Sequence, residues 1–198
     1  MIFIPKGERT ICRTKKIKNF LDPENTRFLG HIKAKLCLSF KIIILIEHFG
    51  DFLKIEKVTL KDAKVINEVI NEYFPYTFFT VEDISDKIGE ENFFIIKAHQ
   101  RNIFLGFAEV EFFKEKNEAR LNAIFVESAW RGQKVATKIV KKIIHECKRK
   151  RIHRLFLLVK ESNLAAKKLY KNAGFEFEKI HNKIIEGSKI EVWVTKLK

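Results

Sequence analysis

Cysteine is scarce: Cys12, Cys37 and Cys147 are the only three in 198 residues, with no C-x-x-C pair and no histidine cluster at ligand spacing. This odd, scattered set argues against a disulfide framework and a structural zinc site, so no metal is expected and a reducing cytoplasm is the default compartment. No collagen, coiled-coil or solenoid period is present. The most apolar stretch, residues 36–49, carries Lys41 and Glu47 and falls short of the roughly 20 residues a spanning helix needs, so no membrane span is expected. The first residues do not read as a signal peptide, because their apolar run comes late and lacks a small-residue cleavage site.

What the chain does have is apolar material. Nineteen Phe and 46% hydrophobic content supply a core for one ordinary domain and set wholesale disorder aside. The formal net charge of +14, from 39 basic and 25 acidic side chains, would suit an anionic partner. Lys and Glu are nevertheless mostly interspersed, which describes a solvated basic surface. The densest basic run, residues 148–151 with Arg154, falls at the end of the longest amphipathic pattern, where cations complement the negative end of a helix dipole. No aromatic interleaving or nucleic-acid motif accompanies it, so nucleic acid is not the expected partner.

Residues 1–50 form a basic extension with one candidate buried strand at 40–46 and a turn at Gly50-Asp51. They would serve as an added edge strand, a homodimer contact or an arm. From residue 51 to 198 the periods sharpen. Alternation predicts a strand over 52–58. Thr59 and Asp62 then form a variant capping box before apolar positions at helix spacing (Ala63, Ile66, Val69, Ile70, Tyr73), which end before Pro75. A shorter helix over 81–88 stops at Gly89. Aromatic, β-branched runs at 92–98, 103–113 and 119–126 read as three consecutive antiparallel strands. Val135, Ile139, Val140, Ile143 and Cys147 mark the clearest amphipathic helix. An unbroken apolar run within 154–160 predicts a strand buried on both faces. A compact helix over 164–172 then ends at Gly174, and strands over 175–184 and 189–197 close the chain around Glu186-Gly187-Ser188.

Two segments carry chemistry. At Val126-Glu-Ser-Ala-Trp-Arg131-Gly-Gln-Lys-Val-Ala136 a strand ends, a short Gly-containing loop follows and a strong helix begins. Amides at such a helix start lack intrahelical partners and lie at the positive end of the dipole, a setting suited to a phosphate. About 30 residues on stands Asn163-Leu-Ala-Ala-Lys-Lys-Leu-Tyr170-Lys-Asn-Ala-Gly174-Phe175, with Asn163 and Tyr170 two turns apart on nearly the same helix face. As packing, Asn163 is an N-cap, Tyr170 a core aromatic and Gly174 a C-cap.

In this order and at this separation, the two segments resemble the GNAT superfamily of acyl-CoA-dependent N-acetyltransferases. Arg131-x-x-x-x-Ala136 looks like that family's (Gln/Arg)-x-x-Gly-x-(Gly/Ala) loop, with Lys134 at the place of its first glycine. Residues 163–175 look like its N-x-x-A-x-x-x-Y-x-x-x-G-F helix. The resemblance spans about residues 52–197. It implies an α/β (α+β) fold with a mixed, mostly antiparallel central sheet of about seven strands, flanked by about four helices.

The resemblance further implies acetyl-CoA as co-substrate and an amine of a small molecule, peptide or protein as acceptor. Backbone groups of Ile124, Phe125 and Val126 would meet the pantetheine arm, with the Val126 amide as oxyanion donor. Arg131 belongs to the loop, and the amides of Gly132, Gln133, Lys134, Val135, Ala136 and Thr137 would hold the diphosphate. Asn163 would contact the cofactor arm, and Tyr170 would be the general acid. For the base, the N-terminal-acetylating branch has a glutamate where this chain has Leu158, and the histone-acetylating branch has one where it has Arg120. Glu111, Glu109 and Glu127 are the remaining candidates, Glu111 first among them, with proton loss through water as the alternative. The second reading, from another class, is a non-catalytic module of this fold that binds acyl-CoA or nucleic acid, with Lys134 as a symptom of lost catalysis.

Overall fold

The structure, a computed structural model, describes residues 53–74, 78–101 and 103–198. The extension over 1–50, with its expected strand, lies outside them. Seven strands are ordered β1-β2-β3-β4-β5-β7-β6 in one sheet. They are β1 (Leu53–Lys57), β2 (Phe93–Gln100), β3 (Ile103–Phe113), β4 (Glu118–Val126), β5 (Arg154–Lys160), β6 (Glu176–Ile185) and β7 (Ser188–Lys196). Four α-helices accompany them: α1 (Ala63–Tyr73), α2 (Val81–Gly89), α3 (Val135–Arg149) and α4 (Leu164–Asn172). Among the described residues no helix is long and apolar enough to cross a membrane.

The local signals act where the sequence put them. The Thr59 N–H donates to Asp62 Oδ2 at 2.8 Å, and a short 3₁₀ turn leads into α1. Thr80 and Asp83 make a reciprocal cap at the start of α2. The last hairpin turns on Glu186 and Gly187, both at positive φ (48° and 69°), the pair of left-handed residues that a two-residue connection between twisted strands requires.

Helices α1 and α2 cover one sheet face, where Ile66, Ile70 and Ile84 pack with Ile95, Phe107, Ala123 and Phe125. The buried stripe of α3 (Val135, Ile139, Val140, Ile143, Cys147) does not join that cluster. It covers the other face, to which strand alternation turns Ile96, Ala108, Val110 and Ile124. Burial pushes the Cys147 thiol up to about 12, which leaves it an inert core residue.

One expectation needs correction. β5 is not buried on both faces: Leu155, Leu157 and Val159 are buried, whereas Phe156 and Leu158 are only half-buried. Their face turns toward a cavity and toward Phe113, whose ring stacks on Phe156 at 6.3 Å. Helix α2 also runs through Gly89 rather than stopping ahead of it.

Gly106 sits opposite Val126 in the β3–β4 ladder. A Cβ there would lie 2.2 Å from the Phe125 carbonyl oxygen, so only glycine permits this approach of the strands. Gly106→Ala is expected to destabilise the fold by about 2 kcal/mol, measured by urea unfolding; an unchanged midpoint would mean that the ladder can shift without cost.

Candidate active site

β4 pairs in parallel with β5 only over Glu118↔Arg154 to Leu121↔Leu157, although both strands continue. The departure has a local cause on the opposite edge. In the antiparallel ladder with β3, Glu109 stands opposite Ala123 and Val110 opposite Leu121, which leaves Asn122 as an extra residue. A bulge of this kind bends the strand and sharpens its twist. It occurs at the residue after which β4 leaves β5, while β5 stays paired with β7 through Lys160.

The edge that opens carries backbone groups in a definite order. The Glu127 N–H donates to Leu105 O on β3 at 2.9 Å. Alternate residues of a strand direct their amides to opposite edges, so the amides of Val126 and Ile124 face the gap on the β5 side. Arg131 Nε donates to Val126 O at 3.0 Å, which anchors the following loop to the strand end.

The gap leads into a cleft of about 850 Å³ between α3 and α4. Its lining brings together Ile124, Phe125, Val126, Arg131, Gly132, Lys134, Val135, Ala136 and Thr137, nine of the residues singled out in the sequence. Three others stand apart, Tyr170 among them, which is fully buried and does not line the cleft. Gln133 turns back to donate to Ala129 O at 3.2 Å, and Asn163 caps α4 by accepting from the Ala166 N–H at 3.1 Å. For Asn163, its packing role as an N-cap is what its side chain does. The cleft also holds Trp130, Lys141, Lys168 and Asn172, which the motifs did not indicate. Lys141 lies one turn beyond Thr137 and Lys168 one turn beyond Ala165, a spacing too common among the surface lysines to single them out.

Tyr170 lies on the inner face of α4 and is fully buried, its ring edge-on to Phe175 at 5.7 Å. Its hydroxyl has no hydrogen-bond partner among the described residues, and burial raises its pKa well above the ordinary tyrosine value. A buried hydroxyl without an acceptor costs about 1–3 kcal/mol, so packing alone does not account for a phenol where Phe would fit. A ligand atom that takes the hydroxyl's hydrogen bond would account for it.

On the α1–α2 side of the sheet lies a second cavity of about 400 Å³. Phe74, Phe79 and Leu158 line it, together with a polar group in which Glu109 and Glu111, two apart on β3, share a face. Lys87 Nζ donates to both oxygens of Glu109 (3.2 and 3.4 Å), and the Asn122 amide joins Glu109 Oε1 (2.9 Å) to Glu111 Oε2 (3.2 Å). Arg120 adds a bond to Glu111 Oε2 at 2.7 Å. Glu109 is therefore engaged at both oxygens, whereas Glu111 Oε1 receives no hydrogen bond from the described residues. Glu127, at the start of the loop, does not line this cavity. Of the aromatic residues on and after α1, Phe74 and Phe79 line the cavity, and Tyr73 packs against Phe125 at 4.7 Å. Trp193 is buried with its indole N–H on Glu191, Phe78 is 85% exposed, and Tyr76 lies outside the described residues. β4 thus gives residues 121–123 to one cavity and 124–126 to the other.

The profile of the acetyltransferase (GNAT) family matches residues 63–175, more than half of the chain. The chain belongs to the GNAT acetyltransferase family. Solved structures agree on the fold. The ribosomal-protein-S18-alanine N-acetyltransferase of Escherichia coli superposes with a TM-score of 0.63 at 17% identity, covering 73% of this chain and 94% of its own. YncA from Salmonella typhimurium, a putative acetyltransferase solved with acetyl-CoA, gives 0.63 at 15% identity, with 74% and 95% covered. The PaiA N-acetyltransferase of Thermoplasma acidophilum, solved with coenzyme A, gives 0.58 at 18% identity, with 71% and 97% covered. Among curated protein sequences none matches significantly.

Within the GNAT loop, Lys134 replaces a glycine yet keeps the backbone that a glycine would adopt, with φ 62° and ψ 13° in the left-handed region. A non-glycine residue there costs roughly 1 kcal/mol. The turn into α3 is preserved, so the amides at its start stay exposed to the cleft. Lys134→Gly is therefore expected to raise stability by about 0.5–1 kcal/mol in thermal melts of the free protein; a clear loss of stability would show that the lysine side chain supports the loop.

Proposed function

We propose that the chain is an acetyl-CoA-dependent N-acetyltransferase that acts on a primary amine of a small molecule or of a peptide or protein, by direct attack of the amine on the thioester. The observation that carries this reading is the parting of β4 from β5 at Asn122, between two cavities of different character. Acetyl-CoA would supply the activated acyl group. Its diphosphate suits the amides of residues 132–137 at the positive end of α3, and its arm suits the gap-facing amides of Ile124 and Val126.

The residues then divide the work. The Val126 N–H, fixed by the ladder on its other side, stabilises charge on the reacting carbonyl oxygen, a contribution of about 3 kcal/mol for a preorganised donor. The Tyr170 hydroxyl, held neutral by burial, donates its proton to the departing sulfur. Glu111 Oε1, left uncommitted while Arg120 and Asn122 hold the other oxygen, accepts the amine's proton from the second cavity. The left-handed turn kept at Lys134 supports this reading over a non-catalytic module of the same fold.

Binding of acetyl-CoA by calorimetry, followed by thiol release over a panel of amines, tests the activity. Tyr170→Phe is expected to lower turnover ten-fold or more while acetyl-CoA affinity stays nearly constant and the melting temperature holds or rises. Unaltered turnover would reduce Tyr170 to packing. Glu111→Gln is expected to lower kcat/KM by about ten-fold or more in the same assay, with Glu109→Gln acting mainly on stability through Lys87; the reverse pattern would move the base to Glu109.

A further inference from the structure

The large cleft is charged in one sense only. Four cations line it, Arg131, Lys134, Lys141 and Lys168, and no carboxylate does. Several cations elsewhere are matched: Lys87 with Glu109, Lys97 with Asp62, Arg154 with Glu118 and Glu178, Lys167 with Glu191. Lys141 and Lys168 have no such acidic neighbour among the described residues. Lys167, beside Lys168 in sequence, lies on another side of α4 and is spent on Glu191.

Position separates the four. Arg131 is tied to the Val126 carbonyl, and Lys134 stands at the mouth of α3 beside the free amides. Those amides, with Lys134, are enough for a diphosphate. Lys141 is four residues beyond Thr137, about 6 Å along α3, and Lys168 comes from α4 on the facing wall with Asn172 one turn on. Two ammonium groups in the outer cleft are thus left over after a diphosphate is accounted for. Coenzyme A carries one further dianionic group, the phosphate on the 3′-oxygen of its ribose.

We propose that Lys141 and Lys168, one on each helix, form a subsite that reads this 3′-phosphate and selects coenzyme A over its dephospho form. The proposal rests on the reading of the cleft as the acetyl-CoA site. The lysines are exposed, so the attraction is screened by salt and is strongest at low ionic strength.

Calorimetric titration of the full chain with CoA and with dephospho-CoA at low ionic strength tests the subsite without an acceptor or turnover. CoA is expected to bind ten-fold or more tighter, and the ratio should shrink several-fold at high salt. In Lys141→Ala/Lys168→Ala the ratio should fall to within about two-fold of unity, while dephospho-CoA affinity stays near that of the unaltered chain. Lys141→Arg/Lys168→Arg should retain the preference. Equal binding of both nucleotides by the unaltered chain, or a preference that survives the double alanine change, overturns the subsite and leaves the acetyl-CoA reading standing. Binding of neither nucleotide overturns both.

Discussion

The site depends on one backbone event: an extra residue in β4. Asn122 bulges from the ladder with β3, and β4 stops pairing with β5 after Leu121. A parallel pair that continued would consume the amides of Ile124 and Val126 in sheet hydrogen bonds. Because the pair parts, those donors are buried at their strand yet open to a ligand. The other edge of β4 remains paired with β3 to its end, with Gly106 allowing close approach, so the open donors are rigidly placed. Preorganisation of this kind lets a hydrogen bond stabilise developing charge without a reorganisation cost at the moment of reaction.

The same bulge organises the second cavity. Asn122 is the residue displaced from the ladder, and its side chain links the carboxylates of Glu109 and Glu111. Each carboxylate also has a cation, Lys87 or Arg120, so the acidic pair is stable in a partly buried setting. In the proposed mechanism, the chain thus couples the opening of the cofactor edge to the construction of the proton-accepting wall through one residue. An apolar side chain at Asn122 could keep the bulge but would leave Glu109 and Glu111 unbridged.

Much of this was legible in the sequence because the signals are local. The 3.6 period of α3, the cap at Asn163, the left-handed Gly174 and the apolar and β-branched runs of the strands pointed to all seven strands and four helices between residues 53 and 198. The loop before α3 and the helix with Tyr170 were readable because their motifs lie on contiguous residues. The strand bulge was not, since Asn122 differs from its neighbours in no propensity that marks a bulge, and register is decided by the partner strand. Lys141 and Lys168 were missed for a related reason: among so many surface lysines, only the cleft shows which two face each other. The half-burial of Phe156 and Leu158 was also hidden, because an apolar run reads alike whether it meets packed side chains or a cavity wall.

Amide hydrogen exchange along β4, resolved residue by residue by NMR, addresses the central claim most directly. In the free protein, Ile124 and Val126 should exchange far faster than Ala123 and Phe125, whose amides point to β3, and saturating acetyl-CoA should protect the fast pair. Equal protection of all four amides in the free protein, or exchange at Ile124 and Val126 that the ligand does not slow, would contradict an open strand edge as the seat of this chemistry.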